Sequence, residues 1–385
     1  MANRTHDHHH SHPHTSGVPH VHLHDDDHHH GETALDEAEL TRRRFLYLLA
    51  AGVAGGVAGA PLAAAASTPK KRATTAKKKS TKATPSVTTP SVTTPSATNA
   101  ATTTKAGSSK AAKDPWTLFP KTVRATRTTS EVVVESTGLP EHNMMVGIKS
   151  WQQQVPLTQP FSGSNAWRLP LKGVLSDAPL SARRALYRGA IALAVNGVPI
   201  FNALNNRGDD AFLVGELDQW GGHCGRADDY HYHAAPLHLQ SVTGPETPIA
   251  FALDGYPMYG LTEPDGSPVR ALDEYNGHAD PVDGYHYHAT LTFPYVNGGI
   301  RGKVSVQNDG IEPQPTTPPM RPPGEPLRGA TITGFTTDGV TSKLEYRLNG
   351  GVYRIEYTVD GTSVRFVSTD SAGATKTETF QRRAR

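Results

Sequence analysis

Cysteine is almost missing from this chain: Cys224 stands alone among 385 residues, so no internal disulfide can form. That is unusual but permitted for a large exported domain. Charge of one sign is missing too, with a formal net charge of +2 and no dense basic face interleaved with aromatics. Nucleic acid is therefore not an expected partner. The chain has no Ser-His-Asp pattern, phosphate-binding glycine loop or dinucleotide fingerprint, which leaves triad and nucleotide chemistry without support. Helical periodicity is confined to Leu180–Ala190.

Histidine is what the chain has in quantity, and part of it is duplicated. Asp228-Asp229-Tyr230-His231-Tyr232-His233-Ala234 returns 55 residues later as Asp283-Gly284-Tyr285-His286-Tyr287-His288-Ala289. At the same offset Leu217-Asp218 matches Leu272-Asp273, Trp220 matches Tyr275, and Gly222-His223 matches Gly277-His278. Upstream, after a three-residue length change, Ala194–Pro199 aligns with Ala252–Pro257. The copies run over about 194–234 and 252–289, and each brings three histidines: His223, His231 and His233, then His278, His286 and His288. An internal repeat signals stacked or pseudo-symmetric units, and here the repeated chemistry is imidazole.

The alternation has a geometric meaning. On an extended chain residues i and i+2 share a face, so His231 and His233 stand together while Tyr230 and Tyr232 turn away. A Gly-rich approach can fold His223 back to complete the trio. Three imidazoles and an open position make the pattern of catalytic zinc sites, and imidazole suits copper equally. The six histidines are thus candidate ligands for a divalent transition metal, copper or zinc. Two arrangements stay open: one ion per trio, or both trios converging on a dinuclear-like centre. A metal-free aromatic ladder is the bland reading of the same residues. Asp218, Asp228, Asp273 and Asp283 are repeat-matched as well. They either orient imidazole N–H groups from behind or cap turns beside glycine. Tyr232 and Tyr287 are core aromatics or hydrogen-bonding partners of the site. Cys224 adjoins His223, but its counterpart is Ala279, and His142 and His238 have no counterpart.

These residues carry a family likeness. Tyr230–His233 and Tyr285–His288, with Gly221–His223, Asn276–His278 and Asp254–Gly260, resemble the bacterial YHYH-domain proteins over roughly residues 140 to 305. The resemblance implies an exported protein but no particular reaction. In that family's pattern a cysteine stands two residues after the aspartate, where this chain has Trp220 and Tyr275. The resemblance thus implies that a disulfide common in relatives is replaced here by packing.

The organisation along the chain supports export. Residues 1–40 form a His/Asp-rich low-complexity leader that holds twelve of the 20 histidines. Thr41-Arg42-Arg43-Arg44-Phe45-Leu46 opens an Ala/Gly-rich run to Ala66, which reads as a twin-arginine signal. Its glycines and Pro61 make a poor permanent span, so the mature protein is expected to have no stable membrane segment. Residues 67–113 are Ser/Thr/Pro/Lys-rich and without aromatics, an extended linker whose lysines can contact an envelope polymer. Expected partners are therefore the twin-arginine export machinery and such a polymer. The expected location is periplasmic, cell-surface or extracellular.

The fold expected from these patterns is mainly β. A short-strand domain at 114–310 carries an internal pseudo-two-fold repeat. A Pro-rich linker at 311–326 then leads to a small antiparallel β-meander at 327–385. Strands are expected at Glu131–Glu135, Ile191–Val195, Ile249–Leu253, Leu344–Leu348, Val352–Val359 and Ser363–Ser368, with Asn-Gly and Asp-Gly pairs as turns. The function expected is an exported metal-binding protein, with a metalloenzyme as the finer reading. A non-enzymatic envelope metal carrier and a metal-free surface-recognition module are the alternatives.

Overall fold

The computed structural model describes residues 113–382. The His/Asp leader, the signal segment and nearly all of the Ser/Thr/Pro/Lys linker lie outside the described residues. Twenty strands account for most of the regular structure, and the longest α-helical segment among the described residues is one turn, Gln240–Thr243. Among these residues no helix is long and apolar enough to cross a membrane. The mainly β architecture follows the turn-rich, helix-poor sequence.

Strands β1 (Val123–Arg127), β2 (Glu131–Ser136) and β3 (Trp167–Pro170) make a three-stranded sheet, and β4 (Leu175–Ser181) pairs with β13 (Gly299–Gly302). The first copy of the repeat supplies β5 (Ala190–Ala194), β6 (Pro199–Phe201), β7 (Gly222–Cys224) and β8 (Tyr230–Tyr232). The second supplies β9 (Ala250–Ala252), β10 (Pro257–Tyr259), β11 (Gly277–Asp280) and β12 (Gly284–His288). All eight join one sheet in the order β11-β12-β10-β9-β5-β6-β8-β7. That order is a palindrome of counterparts, with β5 and β9 antiparallel at its centre through Leu193↔Phe251. β5 is buried along its whole length, which suits its Ala-Ile-Ala-Leu-Ala sequence.

The remaining chain is a hairpin, β14 (Ser305–Gln307) with β15 (Gly310–Glu312), and a five-stranded antiparallel meander. The meander strands are β16 (Thr331–Thr337), β17 (Thr341–Leu348), β18 (Gly351–Asp360), β19 (Ser363–Thr369) and β20 (Thr375–Gln381). Ile332, Leu344, Tyr357 and Phe366 of the meander belong to the same hydrophobic core as Trp151, Ile191 and Tyr232. The Tyr357 hydroxyl donates to the Pro156 carbonyl at 2.7 Å. The Pro-rich segment is tied down as well: Gln314 accepts from the Ala190 amide, and Arg321 forms a two-pronged pair with Asp228 at 2.8 and 2.6 Å.

One expectation fails. Leu180–Ala190 is not a helix; β4 runs to Ser181, and turns follow. Tertiary partners replace the intrahelical hydrogen bonds. The Asn202 side chain donates to the Ala182, Ala185 and Leu186 carbonyls, and the Asp309 carboxylate accepts from the Leu186 and Tyr187 amides.

Candidate metal centres

Each trio is assembled by a β-hairpin. Across β7 and β8, His223 lies directly opposite His231, and across β11 and β12, His278 lies directly opposite His286. Directly opposed residues have Cβ atoms about 5 Å apart, and the i+2 histidine joins them on the same face. The glycine before each leading histidine has a steric reason. A Cβ on Gly222 would come within 2.5 Å of the Tyr230 hydroxyl, and one on Gly277 within 2.2 Å of that of Tyr285. These tyrosines cover the opposite face and hydrogen-bond to aspartate, Tyr230 to Asp218 at 2.8 Å and Tyr285 to Asp273 at 2.9 Å.

The imidazoles converge through Nε2. His223 and His233 have Nε2 atoms 3.0 Å apart, and His231 and His233 3.1 Å. In the second trio the His278 and His288 Nε2 atoms are 3.2 Å apart. Two nitrogens bound to one ion at about 2.0–2.1 Å sit roughly 3 Å apart. The three rings and Glu263 of the second trio, and the three rings of the first, are close enough to hold a metal ion.

The other ring nitrogen decides the protonation. His233 Nδ1 lies 2.5 Å from the Asn202 carbonyl, and His231 Nδ1 lies 3.0 Å from that of Asp229. His286 Nδ1 faces the Gly284 carbonyl at 3.1 Å, and His288 Nδ1 that of Gly260 at 3.2 Å. A carbonyl only accepts, so each Nδ1 carries the proton and each Nε2 presents a bare lone pair. The His231–His233 contact therefore sets lone pair against lone pair, an arrangement that a cation between them relieves.

Burial keeps His223, His233 and His288 neutral. It holds His223 well below the ordinary imidazole range, helped by His233 and His231. It also pushes His233 down to about 3 and His288 to about 4. Aromatic walls fix two of the rings: Phe201 stacks on His231 at 3.9 Å between centroids, and Tyr259 meets His286 edge-on at 5.3 Å.

The two trios differ at one position. The loops after β6 and β10 close in the same way: the Asn205 amide donates to the Asp209 carbonyl at 2.8 Å, and the Glu263 amide to that of Ser267 at 2.9 Å. Glu263 thus stands where the first copy has Asn205. Its carboxylate oxygens lie 3.1, 3.4 and 3.5 Å from the Nε2 atoms of His278, His286 and His288. Burial works to raise this carboxyl, but Arg270 and the neighbouring imidazoles hold it at about 2. In the first copy Asn205 turns away from the rings and donates to Asp209 and Glu216. A cavity of about 610 Å³ opens on the first trio, with Arg188, Arg207, Arg226, Asn205 and Glu216 in its wall.

Residues 166–270 match the YHYH protein family. The YHYH match takes in the whole first trio and Glu263 and ends before His278, a narrower stretch than the resemblance at 140 to 305. No curated protein and no solved structure matches the chain.

All six expected histidines gather in two separate groups of three. A shared dinuclear centre is excluded. From β8 to β12 the sheet order counts five strand spacings, on the order of 20 Å. The four aspartates do not orient imidazoles. The Asp218 carboxylate accepts from the Trp220 and Gly222 amides as well as from Tyr230, and that of Asp273 from the Tyr275 and Gly277 amides as well as from Tyr285. Asp228 pairs with Arg321, and Asp283 is exposed in the β11–β12 turn. The Asp218 and Asp273 carboxylates thus close turns and anchor the tyrosines that face away from the rings.

Cys224 is buried, and one residue along β7 from His223 it faces the other way. Tyr232 and Tyr287 sit in the core, where Tyr287 donates to Asp254 at 2.6 Å and Asn196 donates to Tyr232 at 3.0 Å. His142 is not an isolated surface ring. It bonds the Tyr232 hydroxyl at 2.8 Å and stacks on Trp220 at 4.6 Å, with His238 edge-on at 4.8 Å. Glu263 was missed in the sequence because its counterpart is asparagine. Only the three-residue change of repeat offset, applied upstream of the histidines, points to it.

Proposed function

We propose that this chain is an exported metal-binding protein that holds one divalent transition-metal ion, copper or zinc, in each histidine trio. The observation behind this reading is the Nδ1–carbonyl pairing, which aims the Nε2 lone pairs of two rings at one point in each trio. A metal-free recognition module would leave the His231 and His233 lone pairs facing each other at 3.1 Å. The first trio would use His223, His231 and His233 and keep a position free toward the cavity. The second would use His278, His286, His288 and Glu263, a complete set of four that suits a structural ion.

The finer reading is a metalloenzyme working at the first trio. An ion held there with a free position supplies Lewis acidity toward an oxygen group. Phe201 keeps the His231 ring fixed, and the Asn202 and Asp229 carbonyls keep the Nδ1 protons in place. Export through the twin-arginine route belongs to the same proposal and rests on Thr41–Leu46 and the run that follows. A carrier would show no open coordination position, and the free position at the first trio, where Asn205 replaces Glu263, favours the enzyme.

Metal content of the full chain and of the His231→Ala and His286→Ala variants, measured by mass spectrometry after dialysis, tests the assignment. The leader histidines are common to all three proteins, so the differences report the trios. Each variant is expected to lose one equivalent of zinc or copper. Wild-type loading in both would remove the ligand assignment.

A further inference from the structure

The cavity beside the first trio has a charge pattern that the metal proposal does not use. Arg207 is committed to carboxylates, Asp209 at 3.1 Å and the buried Glu216. Arg188 and Arg226 are exposed in the same wall, and neither forms an ion pair among the described residues. Asn202, Asn205 and Thr317 add neutral polar lining.

The second trio shows what such a site takes. There a carboxylate from the chain, Glu263, sits against all three Nε2 atoms and is steadied by Arg270 at 3.2 and 3.3 Å. In the first copy the carboxylate is replaced by Asn205, while arginines still stand at the opening. The closed trio is thus an internal example of three imidazoles, an oxyanion and an arginine. The open trio has no carboxylate beside its Nε2 atoms; of the carboxylates lining the cavity, Glu216 is taken by Arg207 and Asp229 lies by the His231 Nδ1 at 3.4 Å.

We infer that the first trio receives the oxyanion from outside: the substrate or ligand carries a phosphate or carboxylate group. That group takes the free position at the ion and is met by Arg188 and Arg226. This rests on the proposed metal at His223, His231 and His233. The cavity size admits a small molecule rather than only a bare ion. Phosphate and carboxylate share the chemistry of a planar guanidinium meeting paired oxygens.

Calorimetric titration of the zinc-loaded full chain with inorganic phosphate, and separately with acetate, tests this. Zinc content is measured on the same samples. Saturable binding of at least one anion is expected. Loss of at least tenfold in affinity is expected in an Arg188→Ala/Arg226→Ala variant that keeps its zinc. Preference for one of the two anions names the group. Both arginines are exposed, so the variant tests charge rather than folding. A His233→Ala protein that has lost one zinc is expected to lose the binding too. Zinc-loaded wild type that ignores both anions overturns the inference and leaves the metal reading standing. Unchanged affinity in the double arginine variant, or in the His233→Ala protein, also overturns it. Protein that takes no zinc at the first trio removes the metal reading itself, and the inference with it.

Discussion

The two trios share backbone partners and strand register, yet one is closed by Glu263 and the other faces a cavity beside Asn205. In the closed trio His286 and His288 are 0 % exposed, against 3 % and 5 % for His231 and His233 in the open one. The same scaffold thus serves two ends, and the choice between them rests on one side chain in a loop after the second strand of each copy. Geometry comes from the hairpin, whereas the number of candidate ligands comes from the loop.

The sharpest way to break that comparison is to remove a ring from each trio. His288→Ala should release its ion and expose a mismatch between Glu263 and a vanished partner, lowering the thermal midpoint strongly. Chelator sensitivity should largely disappear with it. An ion bound at a thousandfold above its Kd stabilises by about 4 kcal/mol, which sets the scale. His233→Ala should lose an ion with a smaller drop, because the open site has no carboxylate beside its rings to complete a set of four. Equal drops in differential scanning calorimetry would mean that Glu263 makes no difference.

Glu263→Gln comes next. It keeps the shape and removes the charge, so metal affinity at the second trio should fall by roughly 10- to 100-fold, toward that of the first. Competition with a chromophoric chelator measures it; unchanged affinity would make the carboxylate a bystander.

A third contrast lies behind the rings. Tyr287 donates to a carboxylate, Asp254, whereas its counterpart Tyr232 is held by the neutral Asn196 and His142. Tyr287→Phe should cost about 2–3 kcal/mol and Tyr232→Phe about 1 kcal/mol in urea unfolding, since bonds to charged groups are worth more. The reverse order would break the correspondence.

The smallest effect is a pH dependence of two rings packed behind the first copy. Burial lowers His142 to about 4 and His238 to about 3, from an ordinary value of 6.5. Below about pH 6.5 the unfolded chain takes up protons that the folded one refuses. Their contribution is therefore whole above pH 6.5 and is lost as pH falls toward 4. A His142→Asn/His238→Asn variant should show a shallower fall in urea midpoint between pH 7 and 5 than the wild type. A parallel fall would assign the acid sensitivity elsewhere.

Much of this was legible in residue order. Alternating Tyr and His implies a strand with the rings on one face, and repetition implies a second strand like it. The palindromic sheet order puts each strand of one copy at the mirrored position of its counterpart in the other. The meander strands were legible for the same reason, since Asn349-Gly350 and Asp360-Gly361 mark their turns. Leu180–Ala190 misled because its apolar spacing suits a helix, while Asn202 and Asp309, distant in sequence, take its backbone groups. The four aspartates left two readings open, and the turn-closing one holds at Asp218 and Asp273. Sequence identity between copies shows that a residue matters to the repeat, not which face its carboxylate serves.

By itself, the amino-acid order determined the strand-rich fold, the two histidine trios and the absence of any disulfide, because periodicity and repetition are local properties. Only the tertiary structure decided that the trios stay apart, that Glu263 closes one of them, and that arginines from three loops gather before the other. Those outcomes depend on which strands become neighbours, and residues brought together across tens of positions leave no local pattern to read.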